Sequence, residues 1–301
     1  RLLTAEHAMT RIVLIICLLV VAVQRGPTFA ADKPQRILLI GQAPDGHPPG
    51  THEYRAAASL FSKMLAPMDR LQTIIVSADG DWAEGPELLD GADAAVVFVS
   101  EGAKWLQADA KRLAAFQALA KRGGGLICLH WGMGTRDAKF IPAWVELFGG
   151  CHGGPDRRYK VVDVKTQLAT PSHPILRGVS PVEVHEEFYF KLKWAQPAEQ
   201  ITPLIQVRIE EEDHTVGWAW ERPDGGRSFG FSGLHFHENW KLDSYRRMLA
   251  QSVSWILKRE IPEAGVRVNL EAADFVPPPQ PDSQSEPGQK SHASEPMCWA
   301  G

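Results

Sequence analysis

The chain has 301 residues, enough for one large domain or two small ones with a buried core. At 44% hydrophobic, 23% charged and 9% aromatic it fits neither general disorder nor a polytopic membrane protein. A net charge of −4 leaves no basic footprint for nucleic acid, and four scattered cysteines without a Cys-x-x-Cys pair argue against a disulfide scaffold or a cysteine-built zinc site.

Residues 12–23 are almost purely apolar, follow Arg11 and precede Thr28-Phe29-Ala30, the layout of a secretory signal cut after Ala30. The run is short of the ~20 residues of a membrane-spanning helix. Export to the periplasm or the outside is therefore expected, with no stable membrane span after cleavage; an uncleaved anchor is the alternative. Met9 directly precedes the basic residue, so residues 1–8 read as an over-extended start. The expected folded domain is 31–262. Residues 263–301 read as a disordered tail, Pro/Ser/Gln-rich beyond Phe275, with almost nothing to bury.

Short apolar runs at Arg36–Gly41, Leu71–Ala78, Ala92–Ser100 and Leu126–His130 predict strands buried on both faces. Helical patterns lie between and after them, at Glu53–Leu65, Gln107–Lys121 and Ala138–Phe148. That alternation predicts an α/β, doubly wound, mostly parallel sheet in three layers, with helices on both faces. Lys121-Arg122 followed by three glycines marks a helix end. After residue 150 the pattern turns to alternating strands at Tyr159–Thr166, Glu187–Leu192, Ile201–Ile209, Val216–Glu221 and Ser228–Ser232. The last two flank Pro223-Asp224-Gly225-Gly226, so antiparallel hairpins are expected in the C-terminal half. A helix over Leu242–Lys258 closes the domain.

In such a sheet ligands bind beyond the carboxyl ends of the strands. His130 ends a strand and begins Trp131-Gly132-Met133-Gly134, where other α/β enzymes carry a nucleophile on a sharp turn. No Ser or Cys stands there, and Cys128 lies back inside the apolar run, where a thiol behaves as a small hydrophobe. His152 follows Gly149-Gly150-Cys151. His235 and His237 follow the Ser228–Ser232 strand; if the extended backbone continues, both imidazoles share one face, as a divalent ion or polar substrate needs. Glu186 and Glu187 are strand neighbours, so one of them is expected to face the pocket; a carboxylate beside histidines suits acid/base work or a mixed metal site. Trp131, Trp218, Trp220 and Trp240 cluster about the same segments, and flat rings suit sugars, although such residues also build cores.

These segments together resemble the trehalose-utilisation (ThuA-like) family of the class I glutamine-amidotransferase-like superfamily. The resemblance runs from Arg36 to Ile261. It rests on Gly123-Gly124-Gly125-Leu126-Ile127-Cys128-Leu129-His130, Phe148-Gly149-Gly150-x-His152, His173-Pro174-Ile175-x-x-Gly178, Glu186-Glu187-Phe188-Tyr189, and Gly225-Gly226-Arg227 leading to His235 and Trp240. It implies a flavodoxin-like fold, loss of the amidotransferase nucleophile, a role in disaccharide catabolism, and one pocket shared by His130, His152, Glu187 and His235. The chain departs from the family pattern in three places. Glu186 stands where Asp is usual, Cys-His-Gly replaces a residue-His-Pro sequence, and Gly-Leu-His-Phe-His replaces Leu-Gly-His-Asp, adding His237.

The expected catalytic residues are Glu187, His130 and His235; Trp131, His152, Tyr189 and Trp240 are expected to bind substrate. His130, His152, His235 and His237 are candidate ligands for one divalent transition metal, zinc or manganese. The resemblance suggests a small-molecule sugar substrate oxidised beforehand to a keto-disaccharide or keto-glycoside by a sugar oxidoreductase of the same pathway. A lyase or hydrolase step would follow. A two-carboxylate glycosidase is disfavoured, since Glu187 has no evident partner carboxylate. The alternative is a non-catalytic sugar-binding module.

Overall fold

The computed structural model describes residues 33–277. The expected signal segment, the start and the tail beyond 277 lie outside the described residues. The chain order is β1 (Gln35–Gly41), α1 (Tyr54–Leu65), β2 (Leu71–Ser77), α2 (Gly85–Asp90), β3 (Ala94–Phe98), α3 (Gly102–Gln107), α4 (Ala110–Lys121), β4 (Gly125–Leu129), β5 (Gly134–Thr135), α5 (Ile141–Phe148), β6 (Gly150–Gly153), β7 (Arg158–Lys165), β8 (Gln167–Leu168), β9 (Glu183–Phe190), β10 (Lys193–Trp194), β11 (Ile201–Ile209), β12 (Glu212–Glu221), β13 (Arg227–Phe231) and α6 (Asp243–Ile256). Eight strands form the main sheet in the order β2-β1-β3-β4-β13-β12-β11-β8. The first five pair in parallel and the last three add an antiparallel edge.

The order of the parallel part is that of a flavodoxin-like sheet with β13 in fifth place. Its strands are apolar on both faces because both faces are covered. Ile37, Leu39, Ile127, Leu129, Phe229 and Phe231 pack on the side of α1 and α6. Leu38, Ile40, Val97, Leu126 and Cys128 face the opposite core, which takes residues of α3, α4 and α5. Three layers follow from that two-sided burial.

Local chemistry sets the joints. The Asp109 side chain accepts from the Arg112 amide at 2.7 Å and caps α4, a contact worth ~1 kcal/mol. That cap starts α4 at Ala110 rather than at the Gln107 read from the apolar pattern, which does not show the short α3 before it. At the other end Gly123 takes φ 80°, and the amides of Gly123 and Gly124 return to the carbonyls of Ala120 and Leu119. The turn at Pro223–Gly226 joins β12 to β13 as the residues require, with Gly225 at φ 82°.

Outside the main sheet, β7 and β9 form a two-stranded antiparallel ribbon that opposes Val161 to Glu187 and Tyr159 to Tyr189. Short β5, β6 and β10 form a third small sheet. The chain remains packed past residue 262. Val268 is buried, the Val266 amide donates to Gln251 at 2.7 Å, and Lys63 pairs with Asp274 at 2.7 Å. Chain order therefore continues to Phe275, because these side chains complete the cover over α1 and α6. Among the described residues no helix is long and apolar enough to cross a membrane.

The turn after β4 is close-packed. A Cβ on Gly102 would lie 2.0 Å from the Gly132 carbonyl oxygen, and one on Gly132 would lie 2.4 Å from that of Val97. Gly102→Ala is therefore expected to lower stability by ~1–3 kcal/mol in urea unfolding, by forcing apart α3 and the His130 turn.

Candidate active site

Three loops at the carboxyl ends of parallel strands meet over the sheet. The segment after β1 carries Asp45, His47 and His52; the turn after β4 begins with His130; the segment after β13 carries His235. The first and third are stitched together, since the His52 amide donates to the His235 carbonyl at 3.1 Å and the His237 amide to that of Gly50 at 2.8 Å. The β7–β9 ribbon brings Glu187 and Tyr189 in from the side.

Three strained residues frame the site. His52 (φ 52°) and His130 (φ 44°) both occupy the left-handed region, as does Leu234 (φ 78°), the residue before His235. Each such conformation costs a side-chain-bearing residue on the order of 1–3 kcal/mol and persists only where surroundings fix it. His130 thus occupies the sharp strand-to-helix turn expected of a nucleophile, with an imidazole in its place. Cys128 faces the core, and burial pushes its thiol well above the ordinary range.

The hydrogen bonds fix the histidine tautomers. His130 Nδ1 lies 2.7 Å from the Ser232 carbonyl oxygen, which can only accept, so Nδ1 carries the proton and Nε2 the lone pair. His52 Nδ1 lies 3.0 Å from Asp45 Oδ2. Burial alone would raise the Asp45 carboxyl, but bonds from His47, His52 and Tyr54 outweigh it and hold it well below the usual carboxylate range. An ionised Asp45 only accepts, so His52 Nδ1 also carries its proton. The two Nε2 atoms then face each other as lone pairs at 3.0 Å.

His235 Nδ1 is 3.2 Å and the Tyr189 hydroxyl 3.0 Å from the same His130 Nε2. Glu187 Oε1 is 3.6 Å from His235 Nδ1 and 3.8 Å from His130 Nε2. One lone pair cannot satisfy three polar neighbours. Burial keeps all three imidazoles neutral: it holds His52 below its ordinary value despite Asp45, His130 well below, and His235 at about 3. Burial also pushes the Glu187 carboxyl up to about 7.

A divalent ion fits this donor set. One atom from each of His52, His130, Glu187 and His235 lies within 4.8 Å of every other. Nitrogens ~2.0–2.1 Å from a tetrahedral ion sit roughly 3.3 Å apart, close to the spacings here. His52 and His130 also show the usual support for ligating imidazoles, the second ring nitrogen donating to a carboxylate or a carbonyl.

The sequence expectations sort accordingly. The structure brings His130, Glu187 and His235 together. Glu186 and Glu187 face opposite ways: Glu186 is fully buried and accepts from the amides of Leu234, His235 and Glu187 and from Asn239 Nδ2, at 2.7, 3.1, 2.9 and 2.9 Å, which sets the His235 backbone. Trp131, His152 and Tyr189 line the same cavity of about 590 Å³, with His152 stacked on Tyr189 at 4.0 Å. His152 is outside the four-donor set.

Two expectations are corrected. His237 does not share a face with His235, because the chain turns into a 3-10 helix at His237–Lys241 and buries His237 apart from the cluster. Trp240 packs against Phe61 in the core, 1% exposed, away from the cavity. The His173-Pro174-Ile175 motif is structural: His173 accepts from the Ile175 amide, caps a 3-10 turn and lies against Trp255 on α6. The sequence reading missed Asp45, His47 and His52. A signal existed, because all three follow β1, the first strand whose carboxyl end opens on the site.

The fold and this turn define the class, an amidotransferase-like α/β protein with an imidazole in place of the nucleophile. The chain belongs to the trehalose-utilisation (ThuA) family, whose model matches residues 44–256. Solved structures agree on the fold. A ThuA-like protein from Bacteroides uniformis matches at 14% identity and TM-score 0.58, covering 74% of this chain and 91% of that one. One from Parabacteroides merdae matches at 12% and 0.54, covering 81% and 99%. A cytoplasmic protein from Salmonella typhimurium matches at 13% and 0.50, covering 74% and 98%. Among curated proteins none matches.

Glu186 offers a direct test of the scaffold. Each of its oxygens accepts two N–H groups, so Glu186→Gln would point amide hydrogens at donors. A stability loss of ~2–4 kcal/mol is expected by denaturant unfolding.

Proposed function

We propose that this protein is a divalent-cation-dependent enzyme acting on a sugar, with His52, His130, His235 and Glu187 as the cation-holding set. The observation that carries the reading is the pair of imidazole lone pairs, those of His52 and His130, held 3.0 Å apart by proton-bearing Nδ1 atoms that cannot turn away. Neutral nitrogens converging in this way need a positive charge between them. The set is three nitrogens and one carboxylate, which suits zinc or manganese.

When bound, such a cation would polarise a carbonyl or hydroxyl oxygen of the substrate. The chain's own groups do the rest. Glu187 is the outermost of the four and its side chain is 15% exposed, so one carboxylate oxygen can face the cation while the other accepts a proton from the substrate. The Tyr189 hydroxyl, kept as a phenol by burial, can donate a hydrogen bond to a substrate oxygen. Trp131 supplies apolar ring surface, and the cavity of about 590 Å³ has room for a sugar of one or two rings. The family description, trehalose utilisation, supports a sugar. A keto-sugar supplied by an oxidoreductase suits this chemistry, since its carbonyl acidifies the adjacent C–H and Glu187 could remove that proton, whether the step ends as lyase or hydrolase.

Metal analysis and calorimetry on the purified chain test the reading. About one equivalent of zinc or manganese is expected, lost in His52→Ala and kept in His237→Ala. Failure of the wild-type chain to take up either ion would sink the proposal and leave a sugar-binding module. Asp45→Asn should weaken ion affinity ~10–100-fold by releasing the His52 tautomer. Affinity should rise from about pH 6 to about pH 8, because Glu187 must shed its proton to face a cation, whereas His235, neutral down to about 3, does not compete.

A further inference from the structure

The far end of the cavity carries a charge that the proposed chemistry does not use. Arg157 lines it, whereas a second guanidinium, Arg136, lines the cavity nearer the histidines, where its charge reaches His47. Arg136 is committed: it pairs with Glu101 at 2.5 Å and its guanidinium carbon lies 5.6 Å from the Trp131 ring centroid. Arg157 is different. Its turn, Gly154-Pro155-Asp156-Arg157, is closed by the Arg157 amide on the Gly154 carbonyl, and Arg157 Nη1 donates to that same oxygen at 3.3 Å. The adjacent carboxylate, Asp156, is taken by Lys193 at 2.5 Å. Among the described residues Arg157 has no carboxylate partner, although it is half-buried.

The position of Arg157 is informative. His130, Tyr189 and His152 form a ring stack, with centroids 4.4 and 4.0 Å apart, running outward from the cation-holding set. Arg157 lies beyond that stack, close enough for its charge to disfavour protonation of His152. Beside it Tyr159 stands 54% exposed, its ring edge-on to His152 at 6.3 Å. The one carboxylate lining the cavity, Glu187, lies further along the ribbon opposite Val161, whereas Arg157 directly precedes Arg158, which is opposite Phe190. A guanidinium fork matches the paired oxygens of a carboxylate or phosphate, and its weak hydration makes it effective at a half-dry site.

We propose that the substrate carries an oxyanion group on its sugar, bound by Arg157 at the His152 end of the cavity, away from the cation-holding set, with the ring laid against Tyr159 and the edges of His152 and Tyr189. This rests on the reading of the cavity as a sugar site. It narrows the substrate class to acidic sugars, either uronates or sugar phosphates, which share the recognising chemistry.

Calorimetric titration of the full chain with D-glucuronate, glucose 6-phosphate and D-glucose tests this, with zinc or manganese titrated alongside. At least one anionic sugar should bind about tenfold tighter than glucose, and which one does so separates carboxylate from phosphate recognition. Arg157→Gln should bring that sugar to the level of glucose. Arg157→Lys, which keeps the charge without the fork, should fall between, and unchanged melting temperatures would show that both variants fold. Glucose binding as tightly as the anions, a preference that survives Arg157→Gln, or no binding of any of the three sugars overturns the assignment. Ion uptake without an anion preference sinks the Arg157 assignment alone; an Arg157-dependent preference without ion uptake sinks the cation reading alone.

Discussion

The structure turns on two buried imidazoles that cannot avoid each other. His52 and His130 are each fixed through Nδ1, one by an ionised carboxylate and the other by a main-chain carbonyl, and each sits on a left-handed residue. What remains is a pair of lone pairs 3.0 Å apart in a dry setting. Around this constraint the rest is arranged. The segments after β1 and β13 hydrogen-bond to each other to hold it, Glu186 spends four acceptor positions fixing the chain beside His235, and close glycine contacts seat the His130 turn. Such an arrangement costs stability, and proteins keep costs of that kind where a site needs them.

The same constraint explains why the familiar nucleophile turn of this fold can host different chemistry. The sharp turn after β4 presents whatever side chain stands first to the space above the sheet. With a thiol or hydroxyl the turn offers a nucleophile; with His130 it offers a neutral nitrogen aimed at three other donors. A small change of residue at one strained position, supported by the segment after β1, removes the nucleophile and sets a neutral nitrogen among other donors.

Much of the fold was legible because its signals are local. The apolar runs of β1 to β4 need only be read along the chain, and the Gly123 helix end and the Pro223–Gly226 turn are fixed by a few adjacent residues. Strand alternation was enough to separate Glu186 from Glu187. Sequence reading failed where the backbone changed period. His235 and His237 are two apart, yet a 3-10 helix begins at His237 and sends it elsewhere. Trp240 lies five residues after His235 but points into the core against Phe61. The helix predicted from Gln107 begins instead at Ala110, because Asp109 caps it, and the short α3 before it is not visible in the apolar pattern.

The sequence by itself determined the family, the layered α/β architecture and three of the four members of the histidine and glutamate cluster: His130 and His235 because residues at the ends of parallel strands gather at one edge, and Glu187 through the family resemblance. Only the tertiary structure decided that His52 completes the cluster, that Asp45 and Ser232 choose the tautomers, and that Arg157 stands without a carboxylate at the far end of the cavity. Those facts depend on contacts between segments as far apart as β1 and β13. Which lone pair faces which, and which charge is left unpaired, is a property of distance through space that the order of residues along the chain does not carry.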